Sequence, residues 1–171
     1  NNISKKIRSN KKLFISFGGS DAFDLGNKIS SIIPQFLKHY EIDYVVGPLA
    51  SFPKELANLD DKLNLYVNPE NYIEIMSKSD IAVVTYGVSV FELAYLKIPA
   101  VIISTQSDHE SSGKIFWDEY SSFKHVESRS KQMNQLVFEL LNELSNQEVH
   151  SFPEFKRDIN REIIETIKES R

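Results

Sequence analysis

Two stretches of this chain each run a short apolar block into glycine and small hydroxyl residues, and then straight into a helical pattern. The first is Phe14-Ile15-Ser16-Phe17-Gly18-Gly19-Ser20-Asp21. The second is Ser79-Asp80-Ile81-Ala82-Val83-Val84-Thr85-Tyr86-Gly87-Val88-Ser89-Val90-Phe91-Glu92. Further blocks of the same kind recur at Ile42–Val46, Leu63–Val67, Ala100–Ser104 and Lys124–Val126, in addition to Lys12–Phe17 and Ile81–Thr85. Continuous apolar blocks, rather than apolar–polar alternation, belong to strands buried on both faces. Their alternation with helical spacing predicts an α/β fold: a Rossmann-like, doubly wound parallel sheet of about six strands with helices on both faces.

The connecting helices follow from spacing and punctuation. One helix is expected from Asp24 to about Tyr40, on Leu25, Ile29, Ile32, Ile33, Phe36 and Leu37, with Pro34 an awkward guest that kinks or ends it. A short helix is expected over Phe52–Leu59 with Pro53 in its first turn, and another over Pro69–Lys78. Ser89–Leu96, Lys114–Tyr120, Ser130–Leu144 and a last segment from about Phe155 complete the set. Ser107-Asp108-His109-Glu110 reads as a loop.

Bulk properties narrow the function. A chain of 171 residues, 41% apolar and 26% charged, has enough length for one domain with a real core. Its net charge of −4 argues against a nucleic-acid partner, which calls for a basic face. With no cysteine, disulfides and thiolate metal sites are excluded. The histidines show no ligand spacing, so neither metal nor cofactor is expected. The apolar runs fall short of the ~20 residues of a membrane helix, and a cytoplasmic setting is expected. The chain starts on Asn1, and residues 1–11 read as a polar linker from a missing N-terminal domain, with residues 12–171 forming the binding domain.

In a parallel sheet, ligands bind beyond the carboxyl ends of the strands, where both junctions lie. The first N–H groups of a helix lack partners and attract anions. The two junctions together therefore point to a ligand carrying phosphates. Each has a plainer alternative. Gly18-Gly19-Ser20 could be a turn that caps a helix, with Asp21 and Asp24 complementing its dipole. Ser89 and Glu92 could form a capping box. No P-loop, Gly-x-Gly-x-x-Gly fingerprint, Ser-His-Asp set or paired carboxylates are evident.

The order strand, Gly-Gly-Ser, helix, Ser-Asp, strand, Gly-x-Ser-x-x-Glu, helix, Pro, strand resembles the C-terminal half of GT-B-fold enzymes, over roughly residues 12–126. These include the family 28 glycosyltransferases. Ile15-Ser16-Phe17-Gly18-Gly19-Ser20-Asp21 is closer still to the UDP-sugar hydrolases of pseudaminic acid biosynthesis. The resemblance implies UDP or a UDP-sugar as ligand and the N-terminal domain of the same parent protein as partner. It implies that Gly18, Gly19 and Ser20 line the interdomain cleft, that Gly87, Val88 and Ser89 face the diphosphate, and that Glu92 accepts from the ribose hydroxyls. Val67 would offer its backbone to uracil with Tyr72 nearby, and His109 and Glu110 would lie near the diphosphate and sugar. Catalytic groups are expected on the missing domain, His109 being the one candidate here, so the isolated chain should lack turnover. The implied function is the nucleotide-binding domain of a hydrolase acting in surface polysaccharide or nonulosonic acid biosynthesis. The alternatives are the donor-binding half of a GT-B glycosyltransferase, or a degenerate domain packing on a partner. Tyr86, Val88 and Glu110, which depart from the family pattern, favour the last.

Overall fold

Six strands form one sheet, and every pairing is parallel. The computed structural model describes residues 11–51, 53, 56 and 59–155. The strands are β1 (Lys11–Ser16), β2 (Tyr40–Val46), β3 (Leu63–Val67), β4 (Ile81–Thr85), β5 (Ala100–Ser104) and β6 (Phe123–Glu127). The helices are α1 (Leu25–Ser30), α2 (Ile33–Phe36), α3 (Tyr72–Ser77), α4 (Val88–Leu96), α5 (Ser107–Glu119) and α6 (Met133–Asn146). Strand order is β3-β2-β1-β4-β5-β6. The chain thus winds outward from β1 in one direction, then returns to β4 and winds outward in the other. The Rossmann-like architecture expected from the apolar blocks is the one observed.

Two cores explain why the strands read as continuous apolar blocks. Leu13 and Ile15 point to one face, where they meet Leu25 and Ile29 of α1, Phe36 of α2 and Val137 and Leu141 of α6. Phe14 points to the other, with Met76 of α3, Val90 and Leu93 of α4 and Phe116 of α5. Each fully buried side chain of this size contributes roughly 1.5–3 kcal/mol of transfer free energy. One buried acid interrupts the second face. Asp43, 2% exposed, accepts from Asn64 Nδ2 at 2.9 Å and pairs with Lys12 Nζ at 3.5 Å. Burial pulls the Lys12 ammonium down, but the Glu41 and Asp43 carboxylates more than reverse this, and its pKa is raised.

The structure differs from the sequence expectation in several elements. The single helix over Asp24–Tyr40 is two, α1 and α2. Pro34 sits in the first turn of α2. A helix running through it would lose that N–H and drive the proline ring against the carbonyl of Ser30. The break leaves Ile29, Ile33 and Phe36 in the core all the same. Ser107–Glu110, read as a loop, is the first turn of α5, so the helix expected at Lys114 begins seven residues earlier. The helix expected over Pro69–Lys78 is the shorter α3, following Asn68 at a left-handed φ of 45°. The helix expected over Phe52–Leu59 falls largely outside the described residues, as do the segment after Phe155 and residues 1–10 of the expected linker. Among the described residues no helix is long and apolar enough to cross a membrane.

Candidate functional site

The winding reverses between β1 and β4, which pair directly from Leu13↔Ile81 to Ser16↔Val84. Loops leaving two such strands must diverge to opposite sides of the sheet, and a crevice opens between them. Here it is a cleft of about 480 Å³, within the size range of small-ligand sites. The β1–α1 turn supplies Gly18 and Gly19, the β2 end Gly47 and Pro48, and the β3 end Asn68 and Pro69. Gly87, Val88, Ser89 and Glu92 come from the start of α4.

Backbone geometry sets the walls. Gly18 has a left-handed φ of 80°, which turns the chain sharply at the end of β1. Gly47 lies so close to that turn that a Cβ on it would stand 2.3 Å from the Gly18 carbonyl oxygen and 2.5 Å from that of Gly19. The Leu49 N–H donates to the Gly19 carbonyl at 2.9 Å and ties the two loops together. By contrast, a Cβ on Gly19 or Gly87 would meet nothing within 4 Å. Backbone on both sides of the cleft is therefore open to close approach.

The two helix mouths are not equivalent. At α1, the Asp21 carboxylate accepts from the Leu25 N–H at 2.8 Å and the Gly26 N–H at 2.7 Å. Burial pushes its carboxyl up, against the pull of these two amides. The capping alternative for the first junction is thus what the fold adopts at α1. A mouth satisfied by the chain's own carboxylate is not an open anion site, which corrects the expectation that both helices present bare amides. At α4, Gly87 is the N-cap and no side chain caps the helix. Ser89 is inside the helix, not at its cap, so the capping-box alternative for Ser89 and Glu92 does not hold. The Ser89 hydroxyl instead lies 2.7 Å from the Tyr72 hydroxyl. Glu92, on the same face, is half-buried in the cleft wall, and burial raises its pKa.

The remaining candidates lie around this cleft. Tyr72 is on its wall, its ring held edge-on against Phe14 with centroids 5.5 Å apart. Val67 ends β3, exposed; the cleft residues there are its successors Asn68 and Pro69. Ser20 and His109 line an adjoining recess of about 190 Å³ that shares Gly18, Gly19, Thr85 and Tyr86 with the cleft. His109 Nδ1 is 3.1 Å from the Thr105 hydroxyl. Glu110 turns elsewhere and accepts from Arg129 at 2.7 Å. Tyr86 borders both hollows, but its ring packs beside His109 at 5.5 Å and edge-on to Trp117 at 6.1 Å. Gly47, Asn68 and Ser16 were not singled out from the sequence. Gly47-Pro48 follows β2 as a turn pair, but nothing local in the sequence reveals which loop it touches.

Among the described residues lining the cleft there is no lysine or arginine. What these residues offer a negative charge is amides, hydroxyls and the dipole of α4.

No family model matches the sequence. The uncharacterized protein MJ1062 of Methanocaldococcus jannaschii is 32% identical over 104 residues, 57% of this chain and 22% of that protein. Among solved structures, the glycotransferase of kitacinnamycin superposes with a TM-score of 0.63 at 12% identity, over 86% of this chain and 38% of that one. A putative UDP-N-acetylglucosamine 2-epimerase from Listeria monocytogenes gives 0.63 at 11% identity, over 94% and 45%. The spinosyn forosaminyltransferase SpnP gives 0.51 at 11%, over 81% and 36%. At these identities the likeness is one of fold. The chain has the Rossmann-like α/β fold of GT-B neighbours and spans less than half the length of each.

Proposed function

We propose that this chain is the nucleotide-sugar donor-binding half of a two-domain GT-B enzyme. The observation that carries the reading is the cleft at the β1–β4 reversal, with the uncapped start of α4, Ser89 and Glu92 on one wall and open glycine backbone on the other. On this reading a diphosphate lies against the α4 N–H groups. The Glu92 carboxylate accepts from the ribose hydroxyls, and the base lies toward Asn68, Pro69 and Tyr72. A second domain of the parent protein closes the cleft, supplies the catalytic base and limits access of water. The reaction class is attack at an anomeric carbon with the nucleoside diphosphate as leaving group.

The donor-half reading stands ahead of the hydrolase implied by the Gly-Gly-Ser-Asp motif. It is supported by neighbours of the same fold that are named as a glycotransferase, a forosaminyltransferase and a 2-epimerase. Displacement by water and displacement by an acceptor hydroxyl place the same demands on this half, and the other domain decides between them.

Isothermal titration with UDP and UDP-N-acetylglucosamine tests the reading. Saturable binding is expected, and Glu92→Gln should weaken UDP by about 1–3 kcal/mol through lost charge-assisted hydrogen bonds. Folded protein that takes up neither ligand at millimolar concentration would favour the degenerate-domain alternative. Binding indifferent to Glu92→Gln would remove the ribose role.

A further inference from the structure

Three hydroxyl groups meet at the cleft wall. Ser16, at the end of β1, is 3% exposed and near enough to Tyr72 to act on its phenol. The Tyr72 hydroxyl is 2.7 Å from that of Ser89 in the first turn of α4. All three residues line the cleft. The heavy atoms leave the proton direction open, because each hydroxyl can give one proton and accept others. Two directions are possible along the row. In one, Ser89 donates to Tyr72 and has no proton for a ligand. In the other, Ser16 donates to Tyr72, Tyr72 donates to Ser89, and Ser89 keeps its own proton for the cleft.

We propose that Ser16, Tyr72 and Ser89 form a hydroxyl relay that aims the Ser89 proton at a phosphate oxygen beside α4, with Tyr72 as the positioning residue. The inference rests on the donor-binding reading above and adds the means by which the cleft recognises charge. Three features support this direction. The described residues lining the cleft include no lysine or arginine, and hydroxyl donors there share the work with the α4 amides. The start of α4 and the Ser89 hydroxyl sit together, so an anion held by the amides also draws the Ser89 proton toward itself. Burial raises the Tyr72 pKa, with Ser89 and Ser16 acting against it, so the phenol keeps its proton at neutral pH and can donate. Donors in a row polarise one another, so the last one is a stronger donor than an isolated serine. The edge-on contact with Phe14 fixes the tyrosine ring and with it the aim of the row.

The test is titration of the full chain and its Tyr72→Phe variant with UDP and with uridine, which shares the base and ribose but has no phosphate. Tyr72→Phe, which keeps the ring beside the base, is expected to weaken UDP about 5- to 10-fold, the scale of one weakened hydrogen bond to a charged group, and to weaken uridine by a clearly smaller factor. Adding Tyr72→Phe to Ser89→Ala should cost nothing further, because the relay ends at Ser89. Ser16→Ala should weaken UDP in the same sense, and it stands in should Tyr72→Phe fail to fold. UDP affinity unmoved by Tyr72→Phe or by Ser16→Ala, an equal loss for uridine, or additive losses in the double variant would overturn the relay alone. Wild-type protein that binds no UDP would overturn the donor-binding reading and the relay with it.

Discussion

Gly47→Ala is expected to be the most damaging single-carbon change in the cleft. An added Cβ would stand 2.3 Å from the Gly18 carbonyl oxygen, 2.5 Å from the Gly19 carbonyl oxygen and 2.6 Å from the Gly19 carbonyl carbon. Ordinary C···O contacts lie at about 3.3–3.6 Å, so the shortfall is roughly 1 Å. Every atom it meets is backbone, held in the turn that follows β1, so no side chain can swing away. Overpacking of this kind costs roughly 1–3 kcal/mol. Moving the turn also threatens the Leu49 N–H bond to Gly19, which contributes about 1 kcal/mol. Together these give about 2–4 kcal/mol, a large part of the 5–15 kcal/mol that holds a typical domain folded. With a urea m value of about 1–3 kcal/mol/M, the unfolding midpoint should fall by roughly 1–2 M with the slope unchanged. Gly87→Ala is the matched control. Its φ of 166° is extended backbone that alanine adopts, and a Cβ there meets nothing within 4 Å. It should leave the unfolding free energy within about 0.5 kcal/mol of wild type. A Gly47→Ala protein as stable as the Gly87→Ala protein would refute the claim that these two loops brace one another.

Two further outcomes can be read with the same material. Burial raises the Glu92 pKa above the usual 4.5, so the native state holds that proton more tightly than the unfolded chain. Its contribution to stability is therefore fully present below the ordinary glutamate pKa and is lost as pH rises through the raised one. On the donor-binding reading the ionised carboxylate is the form that accepts from ribose, so wild-type affinity for UDP should rise as pH climbs through that same window, and the part of the rise that belongs to Glu92 should vanish in Glu92→Gln. A pH profile identical in the two proteins would contradict this. Gly113→Ala would place a Cβ 2.2 Å from the Trp117 ring and 2.7 Å from that of Tyr86. It should cost about 1–3 kcal/mol and, by disturbing the 4.2 Å stack of Trp117 on His125, shift the emission of the chain's single tryptophan.

The sheet was legible because burial on both faces writes the strands as apolar blocks. Leu13, Phe14 and Ile15 are all fully buried, though they face two different cores. Helix ends were less legible. The spacing of Leu25, Ile29, Ile33 and Phe36 carries across Pro34 because α1 and α2 bury the same side, so periodicity alone could not locate the break. At α5 the opposite happened. Ser107-Asp108-His109-Glu110 is polar because it is the exposed first turn of a helix, and polarity alone read as loop. Gly18, Gly19, Gly87, Ser89 and Glu92 could be placed at one cleft because strand ends and helix starts fix their neighbourhood. Gly47's contact with Gly18 and the Tyr72–Ser89 hydrogen bond span different loops and helices, and no local pattern encodes them.

The two glycine-rich junctions looked interchangeable as strings of residues, yet their electrostatics oppose each other. Asp21 fills the α1 amides with a carboxylate of the chain itself, whereas α4 opens on the cleft without a side-chain cap. A phosphate set near α1 would face Asp21, while one at α4 meets amides and the Ser89 hydroxyl. On the donor-binding reading the charged middle of the ligand therefore sits at α4. On the same reading, the adjoining recess lined by Ser20, Asp21 and His109 is the place left for the uncharged sugar end. Asp21→Asn separates stability from binding. Asparagine tolerates the left-handed φ of 43° at this position but can accept only one of the two amide hydrogens. The variant should lose about 1–2 kcal/mol of stability as a weakened cap. Its UDP affinity should stay the same or rise, since a negative charge has left the neighbourhood of the phosphates. A loss of affinity as large as that caused by Ser89→Ala would move the phosphates to α1 and defeat the argument from unequal helix mouths.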